Sequence, residues 1–565
     1  MPERKSNFLL PAIGAVVAIV GGVAVYTYVF KGPSGDSAGA LSSAKLVPAS
    51  ALMATYVTTD PQAWAKLQEF GTPEAQKLLT KSLDDLNKNA FQGSDISYEK
   101  DIKPWIGGIM IAVLPPNQTK PTQFNNGVSG NPEIPPVIQP QQEANVLLVV
   151  GIKDKLTALN FANKLKTQKG VKSQETDYKG EKITETIENN KSTYSVVVNN
   201  SYLLLAPQKQ SVEKAIDTYK GQASFATKED ANSLFAKGIN LQNTLAQIYV
   251  PDYTGMVQQL AAANPQARQL PPQALAQLKQ VKSMVAGVGV DDKGLRVKAI
   301  ANLDPQLNKF QYQNTPAKIL AQFPSDTFAL VSGNGISRGW QTFVEQSKDY
   351  PDIQQGLQQV RAQMKFVNLD LDKDIFGWMD GEFGFAAIPS NQGVLANVGF
   401  GGAFIFDTSD RKTAEATFTK LDNLAKAQRI NIATRNIGGK DVTEWQIPQQ
   451  GALLSHGWLD QDTVFLAVGG PVAEAVATSN GKSLDKSDTF KAVTGSLQQP
   501  NGGYFYLDMD KTVTLVNRFA TQGRPIPPET SAVLNSIRGF AATATSPDKS
   551  TSQLEILLAL KPSQK

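Results

Sequence analysis

Several groups of residues have types and spacings that could carry chemistry. His456, the single histidine, lies in "LLSHGWLDQD" beside Ser455 and close to Asp460, the residue types of a nucleophilic triad. A triad is defined by spatial geometry, and neighbouring side chains on extended backbone point to opposite faces. His456 is therefore read as structural. In "NLDLDKDIFG", Asp370, Asp372 and Asp374 alternate like the start of a calcium loop and are the metal candidates. An EF-hand loop needs Gly at its sixth position and an acid at its twelfth. Here those positions hold Ile375 and Gly381, with Glu382 one residue later, so a solvated turn is the preferred reading. Asp374 and Glu382 are also the candidate pair for a carboxylate-dependent hydrolase, whose mechanism would be set by their separation. Gly333, Gly335 and Gly339 in "ALVSGNGISRGW" carry one residue too many for the dinucleotide fingerprint, so this is a loop.

Trp105 and Trp378 lie in similar segments, "DIKPWIGGIMIAVLP" and "DIFGWMDGEFGFAAIP". The likeness extends along the chain. "KDKLTALNFANKL" parallels "SDRKTAEATFTKL", with Asp154 matching Asp410, and "GEKITE" parallels "GKDVTE". "YLLLAPQKQSVEKAI" parallels "VFLAVGGPVAEAV", and "RQLPP" parallels "RPIPP". Ordered matches of this kind mark a duplicated domain, which makes both tryptophans core anchors before ligand-stacking residues. The first copy carries an insertion at 115–143, rich in Pro, Asn and Gln, read as a mobile surface loop.

Each copy mixes β-prone runs ("GGIMIAVL", "NVLLVVGI", "STYSVVV") with helical periodicity opened by Asp or Ser caps. Strands at 181–187, 193–198 and 202–206 are too close for helical crossovers, which requires antiparallel pairing. The expected fold class is α+β: an N-terminal transmembrane helix followed by two tandem homologous domains, each a mainly antiparallel sheet with packed helices.

The chain has 565 residues, 41% hydrophobic and 19% charged, with a formal charge of +4. Length implies several domains, and the near-neutral balance gives no footprint for nucleic acid. The absence of cysteine excludes disulfides and thiolate sites. Residues 8–30, "FLLPAIGAVVAIVGGVAVYTYVF", contain no charge and make about 34 Å of helix, enough to span a bilayer. Arg4 and Lys5 precede this run, which orients the C-terminal bulk away from the cytoplasm. Gly14, Ala18 and Gly22 form a small-residue stripe through which two such helices could pack.

The N-terminal span, "DIKPWIGG" at 101–108 and "KTAEATFTKL" at 412–421 together resemble DUF3352, a family of membrane-anchored bacterial proteins common in cyanobacteria and known as a domain of unknown function. In the second copy Gly377 replaces Pro104 and Asp380 replaces Gly107. The resemblance implies a membrane-tethered extracytoplasmic protein and supplies no reaction.

The expected organisation is a cytoplasmic tail at 1–7, the anchor at 8–30, a tether at 31–43, repeat domains at 44–303 and 317–561, and a linker at 304–316. The expected function is a non-enzymatic binding or scaffold protein in the periplasm or thylakoid lumen. It would hold the membrane through residues 8–30 and bind an apolar ligand, or an unidentified protein or lipid partner, without a cofactor. An envelope hydrolase is the alternative.

Overall fold

The computed structural model describes residues 39–78, 81, 96–116, 145–167, 171–188, 191–237, 239–263, 278–479, 482–519 and 526–563. The expected span at 8–30, with Gly14, Ala18 and Gly22, and nearly all of the 115–143 insertion lie outside these residues. The chain divides into two compact units. One comprises residues 1–66, 80–290 and 301–304; the other comprises 67–79, 291–300 and 305–565.

The strands of the first unit are β1 (Met53–Val57), β2 (Ile106–Val113), β3 (Val146–Ile152), β4 (Lys172–Tyr178), β5 (Glu181–Glu188), β6 (Lys191–Val198), β7 (Tyr202–Ala206), β8 (Thr244–Val250) and β9 (Val281–Asp291). They pair antiparallel in the order β9-β8-β1-β2-β3-β7-β6-β5-β4. One face is core: Ala54, Tyr56, Met110, Ala112, Leu147, Val149 and Leu204 pack beneath the helix Lys209–Tyr219.

In the second unit, β10 (Gly294–Leu303) is joined by β11 (Ala329–Asn334), β12 (Glu382–Pro389), β13 (Phe400–Asp407), β14 (Asn431–Ile437), β15 (Lys440–Ile447), β16 (Gly451–Trp458), β17 (Thr463–Val468), β18 (Phe505–Asp508), β19 (Ile537–Asp548) and β20 (Thr551–Leu560). The order β19-β18-β11-β12-β13-β17-β16-β15-β14 repeats that of the first unit, again antiparallel. β20 continues the sheet beyond β19 and pairs with β10. Residues 291–300 thus cluster with the second unit, and not with the domain expected at 44–303. Arg296 explains the attachment: its guanidinium is 2.6 Å from Asp291 and 2.5 Å from Glu555. Charges this deeply buried persist only when paired.

The α+β class and antiparallel sheet hold, but the membrane helix in that expectation is corrected. Among the described residues no helix is long and apolar enough to cross a membrane. The longest described, Arg411–Ala427, is 17 residues of mixed charge lying against a sheet, whereas a span needs about 20 apolar residues. The single-pass topology and the extracytoplasmic placement built on it are withdrawn. The expected tether also stops short, because Ala40–Ala44 is already a short helix with Ala40, Ser43 and Ala44 buried.

Candidate functional site

The segments around Trp105 and Trp378 fold into the same side-chain clip. Tyr98–Ile102 and Leu371–Ile375 are each a single turn of π-helix. In the first, the Asp101 carboxylate accepts from Ser97 N at 2.7 Å and Lys164 Nζ at 2.8 Å, and its carbonyl accepts from Trp105 Nε1 at 2.7 Å. In the second, Asp374 accepts from Asp370 N at 2.9 Å and Lys420 Nζ at 2.6 Å, while its carbonyl accepts from Trp378 Nε1 at 2.8 Å. Both tryptophans are 3% exposed. Each sits against an aromatic residue of the following helix: Trp105 against Phe161 at 5.4 Å and Trp378 against Phe418 at 6.0 Å. Asp154 and Asp410 cap those helices by accepting from Thr157 N and Thr413 N. Burial pushes the Asp374 carboxyl up. The Lys420 ammonium and the Asp370 N–H outweigh this and hold it below the ordinary aspartate value.

The three aspartates expected as a solvated turn are all engaged with protein groups. Asp370 accepts from the N–H groups of Asp372 and Lys373. Asp372 accepts from Trp340 Nε1 and Arg361, both at 2.7 Å. Asp374 is buried in the clip. Among the described residues no cluster of three or more His, Cys, Asp or Glu is arranged to hold a metal. Glu382 belongs to a different network, accepting from Thr315 Oγ1, Ala317 N and Ile319 N on the side of the main core. Asp374 and Glu382 are therefore not brought together.

His456 does not meet Ser455 or Asp460. Ser455 Oγ is buried without a partner, and Asp460 caps a turn through Thr463 N. The His456 ring stacks on Phe418 at 4.6 Å, and its Nε2 lies 2.9 Å from Asp422 Oδ1, which also accepts from Trp445 Nε1 at 2.7 Å. Gly335 supplies a left-handed start to the helix Ile336–Ser347. Gly333 lies in β11 and Gly339 within that helix, so the loop expected there is reduced to a single-residue junction at Gly335.

The feature the sequence reading missed is the second face of the second sheet. Side chains alternate across strands, so Leu330, Ala386, Ala403, Ile405, Phe465, Tyr506 and Ala541 fill the core while their neighbours face away. Ladder pairing then lines up Ala542, Phe505, Val331, Phe385, Phe404, Leu466 and His456 in one row across six strand boundaries. A parallel row runs Gly333, Phe383, Phe406, Val464, Trp458. The rings touch: Phe383–Phe385 at 5.3 Å, Phe385–Phe404 at 5.4 Å and Phe505–Phe540 at 5.6 Å. The helix Arg411–Ala427 covers the end holding Trp378, Phe406, Val464 and His456. It leaves Val331 at 43% and Phe505 at 41% exposed. The available signal was the i, i+2 aromatic spacing in "EFGF" and "FIF".

Fold and site together define a duplicated α+β protein with an apolar sheet face and no assembled catalytic set among the described residues. The chain belongs to DUF3352, a family described as a protein of unknown function, whose sequence model matches residues 12–560. No curated protein matches it. Among solved structures, crystal form I of TP0453 aligns at 8% identity with a TM-score of 0.26, covering 46% of this chain and 78% of that one. Crystal form III aligns at 10% identity with a TM-score of 0.25, covering 46% and 79%. Likeness at this level carries no argument here.

Proposed function

We propose that this protein is a non-enzymatic binding protein whose site is the aromatic face of the second sheet, and that it takes an apolar ligand. One observation carries the reading: a continuous row of Phe505, Val331, Phe385 and Phe404 whose Phe505–Val331 end is left to solvent. Large contiguous apolar patches are uncommon on soluble surfaces and mark interaction sites. Backbone groups of the sheet are spent on the ladder, so this face offers contact area and little hydrogen bonding. The hydrolase alternative has less support, since Asp374 and Glu382 serve separate networks and each accepts from protein donors.

The test is titration of the protein with anilinonaphthalene sulfonate, a dye that fluoresces on apolar surface. Saturable binding that weakens at least fivefold in a Phe505→Ser, Val331→Ser double variant is the expected result. Equal binding by wild type and variant would remove the site from this face.

A further inference from the structure

The helix Arg411–Ala427 is fastened at two places, and only one of them has a counterpart in the first unit. Up to Lys420 it is held by the clip. Asp410 caps it, Thr417 Oγ1 donates to the Asp374 carbonyl at 2.7 Å, and Lys420 Nζ lies 2.6 Å from the Asp374 carboxylate. The first unit repeats this hold with Asp154, Lys164 and Asp101. Beyond Lys420, among the described residues, the side-chain hydrogen bonds from the helix to the sheet converge on Asp422. Its carboxylate lies 2.9 Å from His456 Nε2 on β16 and accepts from Trp445 Nε1 on β15 at 2.7 Å. Phe418 stacks on the same imidazole at 4.6 Å. The matching positions of the first unit hold Lys166, Ser195 and Thr186 in place of Asp422, His456 and Trp445. They are fixed by Asp154 against Asp410, by "GEKITE" against "GKDVTE", and by the pairs Thr184–Ser195 and Thr443–His456. The fold therefore places a helix here without these three residues.

This second fastening stands on the ligand face. His456 ends the row that runs through Phe505, Val331, Phe385, Phe404 and Leu466. Phe404 and Leu466 are partly buried in the cluster beneath the helix. Few groups surround the imidazole. The helix brings the Asp422 carboxylate and Phe418, with the Lys426 ammonium acting on Asp422 from one turn on. β15 presents Thr443 and Trp445, and β17 presents Leu466. Asp441, further along β15, is engaged by Asn436 Nδ2, and Glu444 alternates to the opposite face, where Arg435 meets it. Asp422 thus supplies the negative charge in contact with the ring. Burial pushes its carboxyl up. The hydrogen bonds from His456 and Trp445, with the charges of His456 and Lys426, outweigh burial and hold it below the ordinary aspartate value. It is therefore ionised over the range in which histidine side chains gain a proton, about pH 5 to 8. A proton on the imidazole sets a full positive charge against that carboxylate and strengthens the hydrogen bond between them. The gain exists only while the helix lies on the sheet, so the proton favours the covered state.

We propose that His456 and Asp422 form a proton-operated latch: protonated His456 holds the C-terminal half of the helix Arg411–Ala427 down over Leu466 and Phe404, and loss of the proton frees that end and lengthens the apolar row open to a ligand. The proposal rests on the apolar-ligand reading above and assigns that site its regulation. Nile red, an apolar dye uncharged across this range, is titrated into the full chain at about pH 5.5 and about pH 8. Amide hydrogen exchange of residues 421–427 is followed in parallel, corrected for the intrinsic pH dependence of exchange. Wild type is expected to bind the dye about threefold or more tightly at the higher pH and to lose protection over 421–427 by a similar factor. His456→Gln keeps a donor that carries no charge and should flatten both dependences. Asp422→Asn, which keeps an acceptor for Trp445, serves in its place if the first variant perturbs folding. Asp407 also titrates in this range and is present in every protein compared, so a slope it causes survives both substitutions. Equal pH slopes in wild type and variants would overturn the latch and leave the apolar face standing. A dye that binds at neither pH would overturn the functional reading, and exchange then decides the latch alone: pH-dependent protection abolished by His456→Gln supports it, and protection indifferent to His456 sinks it.

Discussion

The two units share a strand order and a tryptophan clip, yet differ on the sheet face that the clip overlooks. In the first, the exposed-side rows carry Thr55, Ile111, Leu148 and Leu205, with Met53, Val113 and Val146 alongside. In the second, the same rows carry Val331, Phe385, Phe404 and Leu466, with Ala329, Ala387 and Gly402 alongside. What both copies keep is what the fold needs: caps, a buried indole and its carbonyl acceptor. What they do not share is free to serve another purpose. Duplication thus supplies an internal control, because each residue of one copy shows what the fold tolerates in the other.

The sharpest way to break this comparison is to test whether the shared clip bears equal weight in both units. Trp105→Ala and Trp378→Ala should each destabilise by roughly 3–5 kcal/mol, the range for buried aromatics cut to alanine, measured by denaturant unfolding. A large loss for one and a negligible loss for the other would show that the clip is structural in only one copy.

Next come the charges inside the clip. Lys420→Met strands the Asp374 carboxylate, whose side chain is 10% exposed, whereas Lys164→Met strands Asp101, at 18%. Both lysines reach solvent, so screening reduces each loss to about 1–2 kcal/mol, with the larger at Lys420. Asp374 and Asp101 both titrate below the ordinary aspartate value. Their contribution is therefore complete above the unfolded value near pH 4 and is lost as pH falls through the folded one. Stability measured from pH 6 to pH 2 should fall less steeply in either Lys→Met variant than in wild type.

The tryptophans and helix caps of these clips were legible beforehand, because each is set by local spacing. Trp105 lies four residues from Asp101, and Asp154 begins a helix whose periodicity was visible. The antiparallel run β5, β6, β7 was set by spacing too short for a crossover. The carboxylate partner of His456 was not legible, since Asp422 lies 34 residues away on a helix laid over the sheet. Nor was the aromatic row. The spacing in "EFGF" places Phe383 and Phe385 on one face, but only the register with β11 and β13 brings Val331 and Phe404 beside them. The partners of the turn at Asp370–Asp374 were not legible, because Lys420 and Arg361, which bind its carboxylates, come from other elements.

A smaller effect separates the units at Asp407, whose counterpart at the matching offset is Gly151. Burial pushes the Asp407 carboxyl up to about 6; Thr463 Oγ1, donating at 2.8 Å, opposes this, and the negative charges of Glu382, Asp462 and Asp460 add to the rise. A raised value means the folded state binds the extra proton. The associated stability is thus present below about pH 4 and lost as pH climbs through about 6. Asp407→Asn should raise the unfolding midpoint at pH 7.5 and change it little at pH 4. Equal shifts at both values would assign the effect to packing.

The smallest expected effect lies on the helix Lys155–Lys166, where Leu156 is 69% and Leu159 58% exposed. With Asp154 aligned to Asp410, the second copy carries Lys412 and Glu415 at these places. The clip helix evidently needs no apolar side chain there. Leu156→Lys with Leu159→Glu transfers that pattern, removes little buried area, and preserves both the Asp154 cap and the Phe161 contact with Trp105. Surface changes away from caps and cores usually stay within about 0.5 kcal/mol, and the double variant should do so in thermal unfolding. A loss well beyond that would mean the two leucines are covered in the folded protein in solution, and the first unit would then carry an apolar contact of its own to set beside the aromatic face of the second.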